Sequence, residues 1–199
     1  MRVPKSLENF VRTFSRLPGI GRRSAERAGF FLLSQPPGFA RSLAAAVSDL
    51  REHTVTCQRC GCISDEASCP VCDDPTRDTS TICVVESPAD VLSIESTKSY
   101  EGLYHVLGGV ISPLNGVMPD DLRIRELAER ARVPGVKEIL FATSPTTEGD
   151  TTVLYIRELL AGLSLRVTHL ARGIPVGTDL QFAGSGSLTQ AIRNREEIR

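Results

Sequence analysis

"CQRCGCISDEASCPVC", residues 57–72, constrains the chain more tightly than any other stretch. Cys57 and Cys60 form one C-x2-C pair, Cys69 and Cys72 a second. Two residues between thiols let one backbone knuckle wrap a tetrahedral ion, and two knuckles fill its coordination with sulfur. A site closed by four thiolates keeps no position for substrate, so the expected ion is a structural Zn2+. The segment has almost no apolar residues of its own, and metal binding would supply its folding energy. Cys62 fits neither knuckle and falls outside the expected ligand set. Cys83 lies in an apolar run and reads as a core thiol.

The rest of the chain divides around this cluster. Leu7, Phe10, Val11, Phe14 and Leu17 recur at helical spacing. "LPGIG" (17–21) breaks that helix, and "RRSAERAGFFLLS" resumes it through Ala25, Ala28, Phe31 and Leu32. After "QPPG" a third helix carries Phe39, Leu43, Ala46, Val47 and Leu50 on one side. "DDPTRDTS" (73–80) reads as a polar linker and domain boundary. From residue 81 strands and helices alternate: "TICVVE", a helix capped by Ser87 with Pro88 at its first position, "GLYHVLGG", a helix over "PDDLRIRELAERARVPG", "KEILFAT", a helix after Asp150, and "LRVTHL". Such alternation implies a parallel sheet. "ARGIPVGTDLQF" reads as extended, "GSGS" (184–187) as a flexible break, and Ser187 with Gln190 as the capping box of a last helix.

The expected class is therefore α/β in four parts: a helical module over 1–54, a four-cysteine finger over 55–74, a parallel-sheet domain over 79–174, and a tail with a helix over 175–199. No apolar run approaches the ~20 residues needed to cross a bilayer. "MRVPKSLENF" lacks the apolar core and cleavage site of a signal peptide, so a cytoplasmic protein without a membrane partner is expected.

Charge is unevenly placed. Residues 1–60 hold ten Arg and Lys against four Asp and Glu, a balance of +6, and the remainder carries −7. A basic module on an acidic body points to a polyanion held at one end. The glycines of "LPGIGRRSAERAG", Gly19 and Gly21, let a tight turn present backbone N–H groups at a helix start, where the dipole favours phosphate. Arg22, Arg23 and Arg27 follow, with 23 and 27 one turn apart on one face. Contacts of this kind hold a DNA backbone without reading sequence. The plainer alternative is a connector in a helical domain, with Arg27 paired to Glu26 or solvated.

Glu86 ends the first long strand, and Glu148 and Asp150 follow the third. If those strands are neighbours, the three acids share the carboxyl edge where parallel sheets bind ligands. Clustered carboxylates need a cation or a shared proton, and an oxygen-rich site suits Mg2+. On the residues alone two readings stay open. One is a metal-assisted phosphoryl-transfer site; in the other Asp150 caps a helix and Glu148 sits in a solvated loop. Tyr104, Tyr155, His53, His105 and His169 lie within helices or strands, and none is evidently presented as a nucleophile or base.

Taken together, "RLPGIGRRSAERAGF", the four cysteines, "CVVESPADVLSIE", "GLYHVLGGVISPLNG", "ATSPTTEGDTT" and "ARGIPVG" resemble the RecR family of bacterial recombination mediators in order and over nearly the whole chain. Residues 81–170 resemble a Toprim domain. Toprim enzymes carry a glutamate on the first strand and D-x-D after the third; here Glu86 matches, but the second motif reads Glu148-Gly149-Asp150, which weakens the case for metal catalysis. The resemblance implies a non-enzymatic DNA-binding mediator in recombinational repair, assembled as an oligomeric ring, expected as a tetramer. It implies RecO and RecF as partners, and RecA loading on gapped DNA as the outcome. It further implies that the hairpin arginines face DNA, that the acidic edge docks RecO, and that the helical N-terminus and the tail join subunits. A Mg2+-dependent Toprim nuclease or topoisomerase-like enzyme is the alternative.

Overall fold

The computed structural model describes residues 3–195 and 197, and the chain separates into two compact units divided between Thr54 and Val55. The first holds three helices: α1 (Lys5–Phe14), α2 (Arg22–Ser34) and α3 (Pro37–His53). The apolar stripe of α1 packs on α2. Gly29 permits the close approach, since a Cβ there would lie 2.7 Å from the Leu7 side chain and 3.2 Å from Phe10. Phe10 and Phe14 stack with ring centroids 4.9 Å apart. The buried face of α2 is Ala25 and Gly29, so Phe31, expected on that face, is instead exposed. No described residue of α3 is buried, and Phe39, Leu43, Val47 and Leu50 form an open apolar stripe.

The second unit begins with a two-stranded antiparallel ribbon, β1 (Val55–Thr56) and β2 (Ile63–Ser64), then a single turn, α4 (Pro70–Asp73). There follow β3 (Asp78–Val85), α5 (Pro88–Ser96), β4 (Gly102–Val106), α6 (Ile124–Ala131), β5 (Glu138–Phe141), α7 (Thr147–Leu159), β6 (Arg166–His169) and α8 (Ser185–Arg193). The four long strands form one parallel sheet in the order β4-β3-β5-β6. Alternation along β3 divides its side chains between two cores. Ile82 and Val84 join Ile139, Phe141, Leu127 and Ile156 on one face. Cys83 and Val85 join Tyr104, Val106 and the cysteine cluster on the other. Burial on both faces explains why β3 reads as a continuous apolar run.

Element ends differ from the sequence expectation in identifiable ways. Ser87 caps α5 as expected, in a box completed by Asp90, whose carboxylate accepts the Ser87 N–H at 2.8 Å. The helix expected from Pro119 is split: a 3-10 turn spans Pro119–Asp121, and α6 starts only at Ile124. Asp121 is drawn out of the helix because it accepts the Met118 N–H at 2.8 Å. α7 begins before Asp150, since Thr146 is its cap and accepts from the Gly149 N–H at 3.1 Å. α8 begins at Ser185 behind Gly184, so 184–187 is no flexible break and the Ser187–Gln190 box does not form. The Leu188 N–H donating to the Gly184 carbonyl at 3.0 Å closes that earlier turn. The stretch 73–80, read as a linker, carries the end of α4 and the start of β3. Arg77 within it is fastened to Glu95 at 2.5 Å. No helix among the described residues is long and apolar enough to cross a membrane.

Candidate functional site

Three groups of residues singled out by the sequence occupy three places. In the first, the sulfurs of Cys57, Cys60, Cys69 and Cys72 all lie within 4.8 Å of one another, and all four residues are buried. Cys60 and Cys69 are 3.5 Å apart, Cys57 and Cys72 3.9 Å. A tetrahedral ion about 2.3 Å from each sulfur would space them by about 3.8 Å, so the set fits zinc. Backbone amides point inward as well: the Cys62 N–H donates to Cys60 Sγ and the Cys69 N–H to Cys57 Sγ, each at 3.4 Å. Such N–H donors stabilise thiolates. A hydrogen bond with Cys72 draws the Cys60 thiol down to about 5, whereas burial pushes Cys69 up to about 11. Four buried sulfurs cannot all ionise against one another without a cation among them.

The knuckle is built against the sheet. The Val106 N–H donates to the Cys60 carbonyl at 2.7 Å, and Gly61 takes the left-handed φ of +80° that the turn between Cys60 and Cys62 demands. Cys62 is buried beside the cluster without belonging to it, and Cys83 is wholly buried in β3, its thiol pushed up to about 12 by burial. Two basic side chains from α6 and its approach close the site, and no sequence pattern singled them out. Arg123 Nη2 donates to the Gln58 carbonyl at 3.2 Å. Arg130 Nη1 donates to the Tyr104 carbonyl at 2.6 Å and to His105 Nδ1 at 3.2 Å. Burial lowers the Arg130 pKa, and the nearby thiols of Cys72, Cys60 and Cys57 oppose that shift.

The second place is the hairpin between α1 and α2. Gly19 has φ +76°, and Gly21 is the extended residue preceding α2. Arg22 Nε donates to Glu26 at 3.1 Å, so it is Arg22, not Arg27, that pairs with that acid. Arg23 and Arg27 are exposed, and among the described residues neither has an ion-pair partner. A helix start free of acids in its first turn, with two such guanidiniums on one face, can hold phosphates.

The third place is the carboxyl edge of the sheet. β3 and β5 are neighbours, and they flank the point where strand order reverses. Glu86, half-buried, accepts the Ser144 N–H at 2.5 Å. Glu148 and Asp150 stand in the first turn of α7, both exposed, so neither occupies the loop or cap position weighed from sequence. Gly149 between them is buried, and a Cβ there would overlap the Ser144 carbonyl. Asp150 is engaged by Arg172: Nη2 donates to Oδ1 at 2.5 Å and Nη1 to Oδ2 at 3.2 Å. These hydrogen bonds hold the Asp150 carboxyl below the usual range. The three acids do not gather at one point: among the described residues the four cysteines are the only group of three or more such side chains whose ligand atoms lie within 4.8 Å of one another. Arg172 belongs to "ARGIPVG" and was not among the expected site residues. The signal that would have found it is its place just past β6, whose carboxyl end opens on the same edge.

Comparison with known proteins covers both units. A Toprim domain family matches residues 80–171, and the helix-hairpin-helix family of RecR matches residues 7–51. The chain is 44% identical over 198 residues to the recombination protein RecR of Moorella thermoacetica, spanning 100% of each chain. It is 47% identical over 198 residues to that of Chlorobium luteolum, spanning 97% of each. To that of Porphyromonas gingivalis it is 47% identical over 192 residues, 96% of this chain and 93% of that one.

Proposed function

The chain belongs to the RecR family of recombination proteins, and from that premise we propose that it is a non-catalytic mediator of recombinational DNA repair which closes around DNA as a homo-oligomer, in the expected form a tetrameric ring. The observation that carries this reading is the pair Arg23 and Arg27, exposed on one face of α2 behind the Gly19–Gly21 turn and without an ion-pair partner among the described residues. Phosphates take the α2 N-terminus, Gly19, Gly21 and Arg22 forming its rim, and the two guanidiniums supply charge-assisted hydrogen bonds. Repeated around a ring, the segment 1–60 with its balance of +6 sums to a strong field on DNA. Zn2+ held by Cys57, Cys60, Cys69 and Cys72 is structural. RecO and RecF are the protein partners, and RecA loaded on gapped DNA is the outcome. The edge carrying Glu86, Glu148 and Asp150 docks RecO, with exposed Glu148 its freest charge.

Strand cleavage at a Mg2+ site is the competing reading, and the Arg172 guanidinium on Asp150 disfavours it. The experiment that separates them incubates the zinc-loaded protein with supercoiled circular DNA and Mg2+, at concentrations shown to bind, and examines the deproteinised DNA. The mediator leaves linking number and strand continuity unchanged. Nicked or relaxed circles that disappear with Glu148→Ala would make the protein an enzyme. In the binding arm, Arg23→Glu with Arg27→Glu abolishes DNA retention while the fold is kept; retained binding would remove the hairpin from the interface.

A further inference from the structure

The Toprim edge implies a divalent cation, and the residues present do not fit one. Each carboxylate has a separate setting. Glu86 is bound to the Ser144 N–H, Glu148 stands exposed on α7, and both oxygens of Asp150 are taken by Arg172. Mg2+ keeps several of its waters and is held by one or two carboxylates; here the three acids do not gather within 4.8 Å of one another, and the Asp150 carboxylate already carries a cation.

We infer that Arg172 is the built-in counter-cation of this edge, and that its guanidinium closes the edge to divalent metal by occupying Asp150. The fork of a guanidinium matches a carboxylate with two parallel hydrogen bonds, and its charge is never lost near neutral pH. The arginine is also positioned by the fold. The Leu170 N–H donates to the Phe141 carbonyl at 3.0 Å, which carries the chain off the end of β6 alongside β5. Asn194, just past α8, donates through Nδ2 to the Arg172 carbonyl at 3.3 Å. The Arg172 side chain is 25% exposed and that of Asp150 50%, so the pair is partly shielded from solvent screening. A groove of about 550 Å3 runs beside the pair, lined by His169, Ser187 and Gln190 among others, and leads from solvent to Asp150. A metal aquo-ion has a path to the carboxylate; what it meets there is a cation already seated. This role of Arg172 does not depend on the protein's acting on DNA.

Mn2+ replaces Mg2+ as the probe, titrated into the zinc-loaded full-length protein and followed by water-proton relaxation. Wild type, Asp150→Asn and Arg172→Lys are expected to show the same weak background, because the edge is closed by a positive charge or lacks its carboxylate. Arg172→Gln is expected to bind Mn2+ on the order of tenfold more tightly, and Arg172→Gln with Asp150→Asn to return to background. Folding of each variant is checked by circular dichroism and melting. Wild-type binding of one Mn2+ that Asp150→Asn abolishes would overturn the inference, and this comparison stands even if Arg172→Gln does not fold. A folded Arg172→Gln that gains no site would overturn it equally.

Discussion

His105 shows what one buried side chain asks of its surroundings. Its Nε2 lies 2.7 Å from the Arg123 carbonyl oxygen, an acceptor only, so Nε2 carries the proton and donates. Nδ1 is then free to accept from Arg130 at 3.2 Å. The bond accepted from Arg130 needs the neutral ring, and burial holds the pKa down at about 3. In the unfolded chain the same ring titrates near 6.5. Above about pH 6.5 neither state takes up a proton at this site; as the pH falls below it, the unfolded chain gains a proton that the folded protein refuses, and stability is lost toward the folded pKa. Glutamine can donate and accept in the same directions without titrating. His105→Gln is therefore expected to flatten the loss of stability between about pH 6 and 5 by about 1.4 kcal/mol per unit, read from denaturant midpoints. Parallel curves for the two proteins would mean that the ring is not held neutral. A different residue-scale constraint sits at Gly149, where an added Cβ overlaps the Ser144 carbonyl. Gly149→Ala has to displace the 144–146 turn, at about 1–3 kcal/mol, and should lower the melting temperature and shift the Ser144 amide resonance as its bond to Glu86 is disturbed.

At the scale of elements, the cysteine segment is the case where covalent spacing substitutes for length. β1 and β2 have two residues each and α4 four, too short to persist without an outside constraint. Chelating the zinc should therefore release residues 55–73 and uncover Val85, Tyr104 and Val106 beneath them. Hydrogen exchange would register this as lost protection at Val106, whose amide is bound to Cys60, while α1 and α2, in the other unit, keep theirs. Unchanged exchange at Val106 after complete metal removal would argue that burial alone holds the segment. The C-x2-C spacing made this element legible from sequence because the ligands are local. The parallel sheet was legible because β3 and β5 are apolar on both faces. Helix starts were less so. Thr146 and Asp150 are both fit to cap α7, and only the bond actually made to Gly149 chooses Thr146. Arg172 was out of reach for a different reason: its partner is 22 residues away, and pairing across a sheet edge leaves no periodicity along the chain.

Considered as a whole molecule, the chain leaves one of its longest elements without a core. α3 runs for 17 residues with none buried, and Phe39, Leu43, Val47 and Leu50 are 46%, 40%, 63% and 69% exposed. An apolar face of this kind is costly in water and marks a contact surface. In the proposed ring a second copy covers it, and the grip on DNA through Arg23 and Arg27 of α2 then depends on self-association through α3. The coupling can be measured. Val47→Asp with Leu50→Asp places two charges on the stripe and touches neither the cysteines nor the hairpin arginines. By sedimentation velocity the variant is expected as a smaller species than wild type. Its DNA affinity should fall far more than removal of two apolar side chains outside the hairpin would cause, because each copy then binds with its own Arg23 and Arg27 alone, without the effective concentration of linked copies. The salt dependence separates this from a local defect. The slope of log affinity against log salt is about −0.9 for each phosphate the protein neutralises, so a variant reduced to fewer copies gives a shallower line. A variant of reduced size that keeps the wild-type slope would place DNA binding within a single chain and leave the ring without that role.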